Sequence, residues 1–330
     1  MKIFVTGATG YVGSHLIPCL LKNQHEVTCM LRKLEKHEHL YPLNRCIIVE
    51  GDIIDRKSIR NKMDHMDVVI NLAVATPLTN DSGDNSIYFK TNVTGTKNLL
   101  EECLQAKPKR IICFSSTAAI GRSTSDFIDE NTPLQPVNPY GKSKMEADKM
   151  ISTYVEKYQL PVITICFPHI YGPGETHELF KVIKMIKNGI LPQVGFRPNH
   201  LPLVFVSDAI DAILLAFTNG KPGGKYIIAD DDPHDIRVIR KHVLAKLGIK
   251  RKYYPFVPKH IGIFGAYLIE KLFGLAGLKS PVKAENIRSI VAGRRLCINK
   301  AQKELGFVPK VGIQEGIYRT LDWYQKGKLL

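Results

Sequence analysis

The chain has 330 residues, of which 44% are hydrophobic, and it carries a formal net charge of +15. This length and apolar content suffice for a large folded core, which excludes a globally disordered protein. The positive charge favours anionic partners, but the lysines and arginines are spread along the chain and accompany no nucleic-acid-binding motif. We therefore predict a globular protein that does not bind nucleic acid.

Seven cysteines, none of them spaced Cys-x-x-Cys, argue against a disulfide framework and against a structural zinc site. We therefore expect reduced thiols and no bound metal. The N-terminus shows no basic segment followed by an apolar one, as a secretory signal would. The most apolar long stretch, 261–278, is interrupted by Glu270 and Lys271 and falls short of a membrane span. These features predict a cytoplasmic protein.

The first 170 residues alternate short apolar runs with helical patterns. Strands are predicted at 2–5, 26–31, 46–49, 68–72, 110–114 and 162–166, and helices at 13–23, 91–105 and 140–158. Strands of this apolar character are buried on both faces, which is typical of a parallel sheet covered by helices. The alternation predicts the α/β class, with a doubly wound Rossmann sheet whose ligands bind beyond the C-terminal strand ends.

After residue 170, proline and glycine interrupt the pattern. Strands are predicted at 203–206 and 225–228, and helices at 208–217 and 237–247. We predict a dinucleotide-binding Rossmann domain over 1–167, with returns to the sheet near 203–229. The remaining segments, 168–202 and 230–330, are predicted to form a smaller C-terminal lobe that binds the substrate.

The small lobe contains an apolar stripe at helical spacing, formed by Ile261, Phe264, Leu268, Leu272 and Leu275. Three interpretations of this stripe stay open from the sequence. It fits core packing within the lobe, the wall of a pocket for an apolar substrate, or a weak peripheral contact with a membrane beside basic residues.

Three glycines, Gly7, Gly10 and Gly13, lie between the first strand and the first helix. Glycine permits positive φ and a close approach of the backbone to a pyrophosphate, and a helix N-terminus offers free N–H groups. Glycines with this spacing directly after an N-terminal strand predict a dinucleotide site that also includes Tyr11 and Val12. The alternative is a tight turn with no ligand.

The residue after the second strand bears on which dinucleotide binds. An NAD-preferring site usually has an acidic residue there for the ribose 2′-hydroxyl, whereas this chain has Arg32 and Lys33. Arg32 can contact a 2′-phosphate, so the sequence favours NADP(H), with NAD as the alternative. Asp52, after the third strand, is predicted to bind the adenine amino group; its alternative role is a helix cap.

The candidate catalytic residues follow the fifth strand, which leads into the hydroxyls of Ser115, Ser116 and Thr117. The next helix begins with Tyr140 and Lys144, which share a helical face, so the ammonium is expected to lower the pKa of the phenol. Such a tyrosine can exchange a proton with a carbonyl or alcohol oxygen as hydride moves. Two other Tyr-x-x-x-Lys pairs, at 267/271 and 324/328, lack this context.

Taken together, these motifs resemble those of the extended short-chain dehydrogenase/reductase family over essentially the full chain. Besides the glycine loop and Tyr140-x-x-x-Lys144, the shared motifs are Gly51-Asp52-Ile53, Asn71-Leu72-Ala73, Asn92-Val93-x-Gly95-Thr96, Ser115-Ser116, Tyr171-Gly172-Pro173, Val206-Ser207-Asp208 and Leu305-Gly306-Phe307-x-Pro309. The resemblance implies that Tyr140 is the general acid/base and that Ser116 hydrogen-bonds the substrate oxygen, with Thr117 as the alternative.

The resemblance also implies the lining of the cleft. The residues expected to contact the cofactor, besides the glycine loop, Arg32 and Asp52, are Ile53, Leu72, Ala73, Val74, Asn92, Tyr140, Lys144, Phe167 and Ile170. Asn92 is further expected near the hydrogen-bond relay that supports Lys144. The residues expected to contact the substrate are Thr76, Thr117 and His169.

Three departures from the family pattern bear on the reaction. Ile120 replaces a frequent tyrosine, Cys166-Phe167 replaces a frequent Arg-Pro, and His169 replaces the asparagine common in nucleotide-sugar epimerases. Each change removes a polar group that would hold a sugar or a diphosphate. In these positions the chain looks more like the dihydroflavonol reductase and 3β-hydroxysteroid dehydrogenase-like branch.

This resemblance predicts an NADP(H)-dependent oxidoreductase that interconverts a ketone and a secondary alcohol on a small, apolar substrate. The first alternative is a nucleotide-sugar epimerase or dehydratase that uses tightly bound NAD(P). The second is a non-catalytic NAD(P)-binding protein of the same fold. A homodimer is left open.

Overall fold

The structure is a computed structural model that describes residues 1–33, 43–77, 80, 83–123, 127–196, 198–231, 234–250, 253–275, 280, 284, 287–288 and 295–330. Its strands are β1 Lys2–Thr6, β2 Glu26–Leu31, β3 Ile47–Glu50, β4 Val68–Asn71, β5 Arg110–Ser116, β6 Phe127–Ile128, β7 Val162–Phe167, β8 His169–Tyr171, β9 Gln193–Val194, β10 His200–Leu201, β11 Leu203–Phe205, β12 Lys225–Ile227, β13 His234–Asp235, β14 Phe256–Val257 and β15 Arg295–Leu296. Its helices are α1 Tyr11–Lys22, α2 Arg56–Ile59, α3 Ser86–Phe89, α4 Thr96–Ala106, α5 Pro139–Tyr158, α6 Glu178–Asn188, α7 Val206–Asn219, α8 Ile236–Leu247, α9 Lys259–Leu275 and α10 Ile313–Lys326.

Seven strands form one parallel sheet in the order β12-β7-β5-β4-β1-β2-β3. The chain winds outward in one direction from β1 and then in the other from β4, so a crevice opens between their C-terminal ends. The predicted doubly wound α/β fold is therefore confirmed. Strand β5 extends two residues beyond the predicted end because Ser115 and Ser116 pair with Cys166 and Phe167 of β7.

Helices cover both faces of this sheet. Along β1, Ile3 and Val5 face a core that includes α1 and α7, whereas Phe4 faces a second core that includes α4 and α5. All three of these side chains are fully buried. Burial on both faces explains why the strands read as continuous apolar runs rather than as alternating patterns.

The helix predicted over 91–105 is longer and irregular. It begins with α3, continues through a π-helical segment at Lys90–Gly95 and ends with α4. The wider segment carries the buried Asn92 and packs against Ile53, whose side chain lies 2.6 Å from where a Cβ of Gly95 would stand. Such single π-helical turns are typical of functional regions.

Beyond the sheet, the short strand pairs β8–β11 and β10–β13 combine with α6, α8 and α10 around a third core. A further short pair, β9–β14, lies outside this core. Of the two predicted returns, β12 joins the large sheet, whereas β11 pairs with β8. Ile298 and Phe307, which the sequence assigns to the small lobe, pack into the core of the large sheet. The division of the chain into two domains stays a prediction.

None of the seven cysteines, all of which the structure describes, forms a disulfide. Within the part of the chain that the structure describes, no helix has the length and apolar character needed to cross a membrane.

Candidate active site

The glycine loop between β1 and α1 fits a dinucleotide by its shape. Gly7 has φ +67°, and a Cβ there would lie 2.6 Å from the carbonyl carbon of Leu72. A Cβ on Gly13 would lie 2.4 Å from the carbonyl oxygen of Ala8. Both positions therefore require glycine, because the loop is packed directly against backbone.

The N-terminus of α1 fits a phosphate by its chemistry. Gly10 is the N-cap, no side chain of the described residues caps it, and the first turn contains no acidic residue. The N–H groups of Tyr11, Val12 and Gly13 belong to the first turn, so they have no partner within the helix. Free N–H groups and the positive end of the helix dipole favour an anion at this position.

Arg32 and Asp52 follow adjacent strands at the same edge of the sheet. Arg32 is exposed, and Asp52 is partly buried with Oδ1 accepting from the N–H of Ile54 at 3.1 Å. The alternative role of Asp52 as a helix cap is not observed, because Asp55 caps α2 by accepting from the N–H of Lys57. The neighbouring Ile53 is buried and contacts the π-helical segment.

The segment after β4 lies beside the glycine loop and is held there by side chains. Thr6 donates to Asn71 Oδ1 at 2.7 Å and accepts from the N–H of Ala73 at 3.2 Å. Leu72, Ala73, Val74 and Thr76 are partly exposed along this segment. The predicted cofactor wall and one predicted substrate contact thus lie on one short stretch of chain.

Asn92 fastens this wall to α5. Its Oδ1 accepts from the N–H of Ala75 at 2.9 Å, and its Nδ2 donates to the carbonyl of Ala75 and to Ser143 Oγ at 2.9 Å. Both polar atoms of the Asn92 side chain bond the backbone of Ala75, so Asn92 holds this part of the cleft wall in place. Its bond to Ser143, the neighbour of Lys144, places Asn92 near Lys144, where the sequence predicted it.

Strand β5 and helix α5 bring the three candidate catalytic side chains together. Asn138 caps α5, so Tyr140 and Lys144 occupy its first turns. Ser116, at the end of β5, is near enough to Tyr140 to act on the pKa of its phenol. The ammonium of Lys144 is buried and donates to the carbonyl of Phe114.

The pKa of Tyr140 differs from the value expected beside a lysine ammonium. Burial raises the pKa of Tyr140 to about 12, although the neighbouring Ser116 hydroxyl acts to lower it. Burial also lowers the pKa of Lys144. The expected lowering of the Tyr140 pKa is therefore wrong for this arrangement, since desolvation outweighs the effect of Ser116, the one group among the described residues that acts to lower it.

A buried carboxylate, Asp148, lies one turn beyond Lys144. Its Oδ2 accepts from Ser115 Oγ at 2.7 Å and from the ammonium of Lys225 at 2.7 Å. Its charge acts to raise the pKa of Lys144 and so opposes the effect of burial. The sequence patterns missed Asp148 and Lys225, although the helical spacing from Lys144 was a usable signal for Asp148.

The predicted substrate residue His169 is half-exposed and forms an ion pair with Glu178, with 2.7 Å between Nδ1 and Oε2. Burial acts to lower the pKa of His169 and to raise that of Glu178. The attraction between their opposite charges outweighs burial, so the pKa of His169 is raised and that of Glu178 is lowered. The charge of Glu178 also raises the pKa of Tyr140, so the pair belongs to the same site. Glu178 begins α6, a helix that was not predicted.

The remaining predicted residues follow β5, end β7 and lie on β8. Thr117 is partly exposed and donates its N–H to the carbonyl of Phe167 at 3.1 Å. Phe167 is buried with its ring 5.1 Å from that of Phe114, and Ile170 is partly buried. Tyr88, which was not predicted, places its ring 5.9 Å from that of Tyr140.

Comparison with known proteins gives a consistent set of relatives. A family model described as the NAD dependent epimerase/dehydratase family matches residues 3–229. A dTDP-D-glucose 4,6-dehydratase from Mus musculus is 24% identical, covering 98% of this chain and 89% of that protein. An N-acetyl-alpha-D-glucosaminyl-diphospho-ditrans,octacis-undecaprenol 4-epimerase from Escherichia coli O157:H7 is 26% identical, covering 98% of this chain and 95% of that protein.

The fold comparison agrees. The crystal structure of a dTDP-glucose 4,6-dehydratase from Streptomyces venezuelae, with NAD bound, superposes with a TM-score of 0.77 and 24% identity. The match covers 99% of this chain and 98% of that one, so the two proteins share the whole fold.

Proposed function

The chain belongs to the NAD-dependent epimerase/dehydratase family, within the extended short-chain dehydrogenases/reductases, and from this premise we propose that it is a 4-epimerase-type enzyme acting on a diphosphate-linked sugar. The single observation that carries the proposal is the contact of Ser116 with Tyr140 at the end of β5, beside the glycine loop. Those groups suffice for reversible oxidation of one sugar carbon.

An epimerase or dehydratase was the first alternative from the sequence, whose main prediction was a ketone/alcohol reductase. The ketone/alcohol reductase with an apolar substrate rested on three missing polar groups, and the resemblance to the dihydroflavonol reductase branch is not confirmed. Both full-length relatives named above have sugar-diphosphate substrates in their names. One carrier is a nucleotide and the other a polyprenol, so the proposed substrate class is the sugar diphosphate that they share.

The roles of the side chains follow from their positions. A bound nicotinamide dinucleotide would accept a hydride from the sugar carbon and return it to the opposite face. Tyr140 donates its proton to the carbonyl oxygen during reduction and, as the phenolate, accepts the hydroxyl proton during oxidation. Ser116 holds that oxygen by a hydrogen bond, and the glycine loop would hold the pyrophosphate of the dinucleotide.

The side chains near Tyr140 favour epimerisation over dehydration. Eliminating water requires a further base and a further acid at the neighbouring carbons. The residues after Ser116 are Thr117 and Ala118, which carry no carboxyl group. Glu178 is ion-paired with His169 and has a lowered pKa, so it is a weak proton donor at neutral pH.

We expect incubation with NAD(P) and UDP-, dTDP- or polyprenyl-diphosphate-linked hexoses to interconvert two epimers of one of them. Proton NMR of the product distinguishes an inverted carbon from a 4-keto-6-deoxy sugar. A thermal-shift screen of the same compounds is expected to show saturable stabilisation by the substrate. A keto-deoxy product would contradict epimerisation, and turnover of simple ketones without any response to sugar diphosphates would contradict the substrate class.

The choice between NADP and NAD rests on Arg32, which is exposed beside the predicted ribose site. We expect Arg32→Ala to weaken NADPH binding by about tenfold and to leave NADH binding nearly unchanged, because a 2′-phosphate loses a charge-assisted hydrogen bond. Isothermal titration measures both affinities, with Lys33→Ala as the neighbouring control. Tighter binding of NADH than of NADPH by the unaltered protein would contradict the NADP preference.

A further inference from the structure

The apolar stripe of α9 faces outward. Its members, spaced by three or four residues, are 63%, 61%, 43%, 64% and 87% exposed in the order Ile261, Phe264, Leu268, Leu272 and Leu275. Of the residues in α9, Ala266 alone is classed as buried. The interpretation of the stripe as core packing is therefore wrong, and a wall of an enclosed pocket does not fit these exposures either.

The opposite side of α9 holds the helix on the protein. A Cβ at Gly262 would lie 3.3 Å from the side chains of Val194 and Val257, which belong to the paired strands β9 and β14. The helix is thus seated on this strand pair through a small residue. Because the helix is packed on one side, the orientation of its other, apolar side toward solvent is fixed.

Two aromatic side chains extend the apolar surface at the N-terminal end of α9. Phe196 and Phe256 are 88% and 44% exposed, and their rings stack with centroids 4.8 Å apart. Gly195, next to Phe196, lies against the side chain of Lys259 in the first turn of α9. A continuous outward row of large apolar side chains is unusual on a protein surface and marks an interaction site.

The sequence around this face is strongly cationic. Segment 250–295 contains ten lysines and arginines and two acidic residues, so it carries more than half of the net charge of +15. Lys259 and Lys271 are exposed on α9 itself. A second copy of the chain would bring an equal positive charge to the interface, whereas an anionic surface would complement it.

We propose that α9 docks the protein on an anionic phospholipid bilayer. The helix lies in the plane of the interface, with the stripe from Ile261 to Leu275 in the boundary between headgroups and acyl chains. Lys259 and Lys271 contact the headgroup phosphates, and the positive charge of the sequence around them adds to the attraction. The inference rests on the exposed face and its charge and is independent of the proposed reaction.

The test is sedimentation of the full-length protein with vesicles of phosphatidylcholine, with and without phosphatidylglycerol. We expect binding to the anionic vesicles that weakens as salt is raised. The double variant Phe264→Ser/Leu268→Ser keeps the charge and is expected to lose about tenfold in binding per side chain. Val238→Ser, at a 40% exposed position on α8, is the matched control and is expected to bind like the unaltered protein.

The variants also separate docking from folding, because exposed side chains contribute little to the core. Melting temperatures of both variants are expected to stay close to that of the unaltered protein. Equal vesicle binding by the double variant, or no binding by the unaltered protein, would overturn the proposal. A dimer in light scattering that the double variant dissociates, with no vesicle binding, would overturn it in favour of a second copy.

Discussion

Replacing Tyr140 with phenylalanine is expected to lower turnover of the sugar substrate by about 10²- to 10⁴-fold and to leave dinucleotide binding nearly unchanged. The substitution removes the hydroxyl that exchanges the proton and keeps the ring, which lies 5.9 Å from that of Tyr88. Single-turnover kinetics measure the chemical step, and cofactor fluorescence measures binding.

Tyr267→Phe is the matched control, because Tyr267 begins another Tyr-x-x-x-Lys pair that lies on α9, away from Ser116. Its turnover of a water-soluble substrate is expected to equal that of the unaltered protein. If Tyr140→Phe kept full turnover, Tyr140 would not be the general acid. If it lost the dinucleotide as well, the loss of turnover would say nothing about proton transfer.

Gly7→Ala is expected to weaken dinucleotide binding on the order of a hundredfold, the size of effect that a displacement of about 1 Å can have. An alanine Cβ would lie 2.6 Å from the carbonyl carbon of Leu72, so the segment after β4 must move. That segment is the predicted wall of the cofactor site. The positive φ of +67° adds a cost of about 1–2 kcal/mol in folding free energy.

Gly248→Ala separates these two effects. Gly248 also has φ +67°, but a Cβ there would meet nothing within 4 Å. We expect this variant to lose about 1–2 kcal/mol of stability in urea unfolding and to bind the dinucleotide normally. Equal loss of binding in both variants would show that the contact between Gly7 and Leu72 is irrelevant to the site.

Local chemistry made most of the doubly wound half predictable. The strand over 26–31 has the same bounds in the structure, and the helix over 140–158 begins one residue early, at Pro139, because Asn138 caps it. Continuous apolar runs, a capping side chain and glycines at a turn are properties of neighbouring residues. The side chains that follow these strands could therefore be assigned to one cleft.

Contacts between distant segments were not predictable in this way. Asp148 binds Lys225, 77 residues further along the chain, and nothing in the local pattern of either residue signals the other. The pKa of Tyr140 depends on burial, which only the folded chain determines. Helical spacing showed that one side of α9 is apolar, but it could not show that this side faces outward.

A single strand–helix pair carries the candidate catalytic side chains. Positions 114 and 115 of β5 hydrogen-bond Lys144 and Asp148 of α5, and the next position, Ser116, acts on the pKa of Tyr140. The reacting geometry thus follows from the register of two rigid elements and not from the connection over 117–138. The segments that connect such a pair can therefore differ between proteins of one fold while the pair itself stays the same. Replacing the connecting segments with those of a relative is therefore the direct way to change the substrate range of the protein.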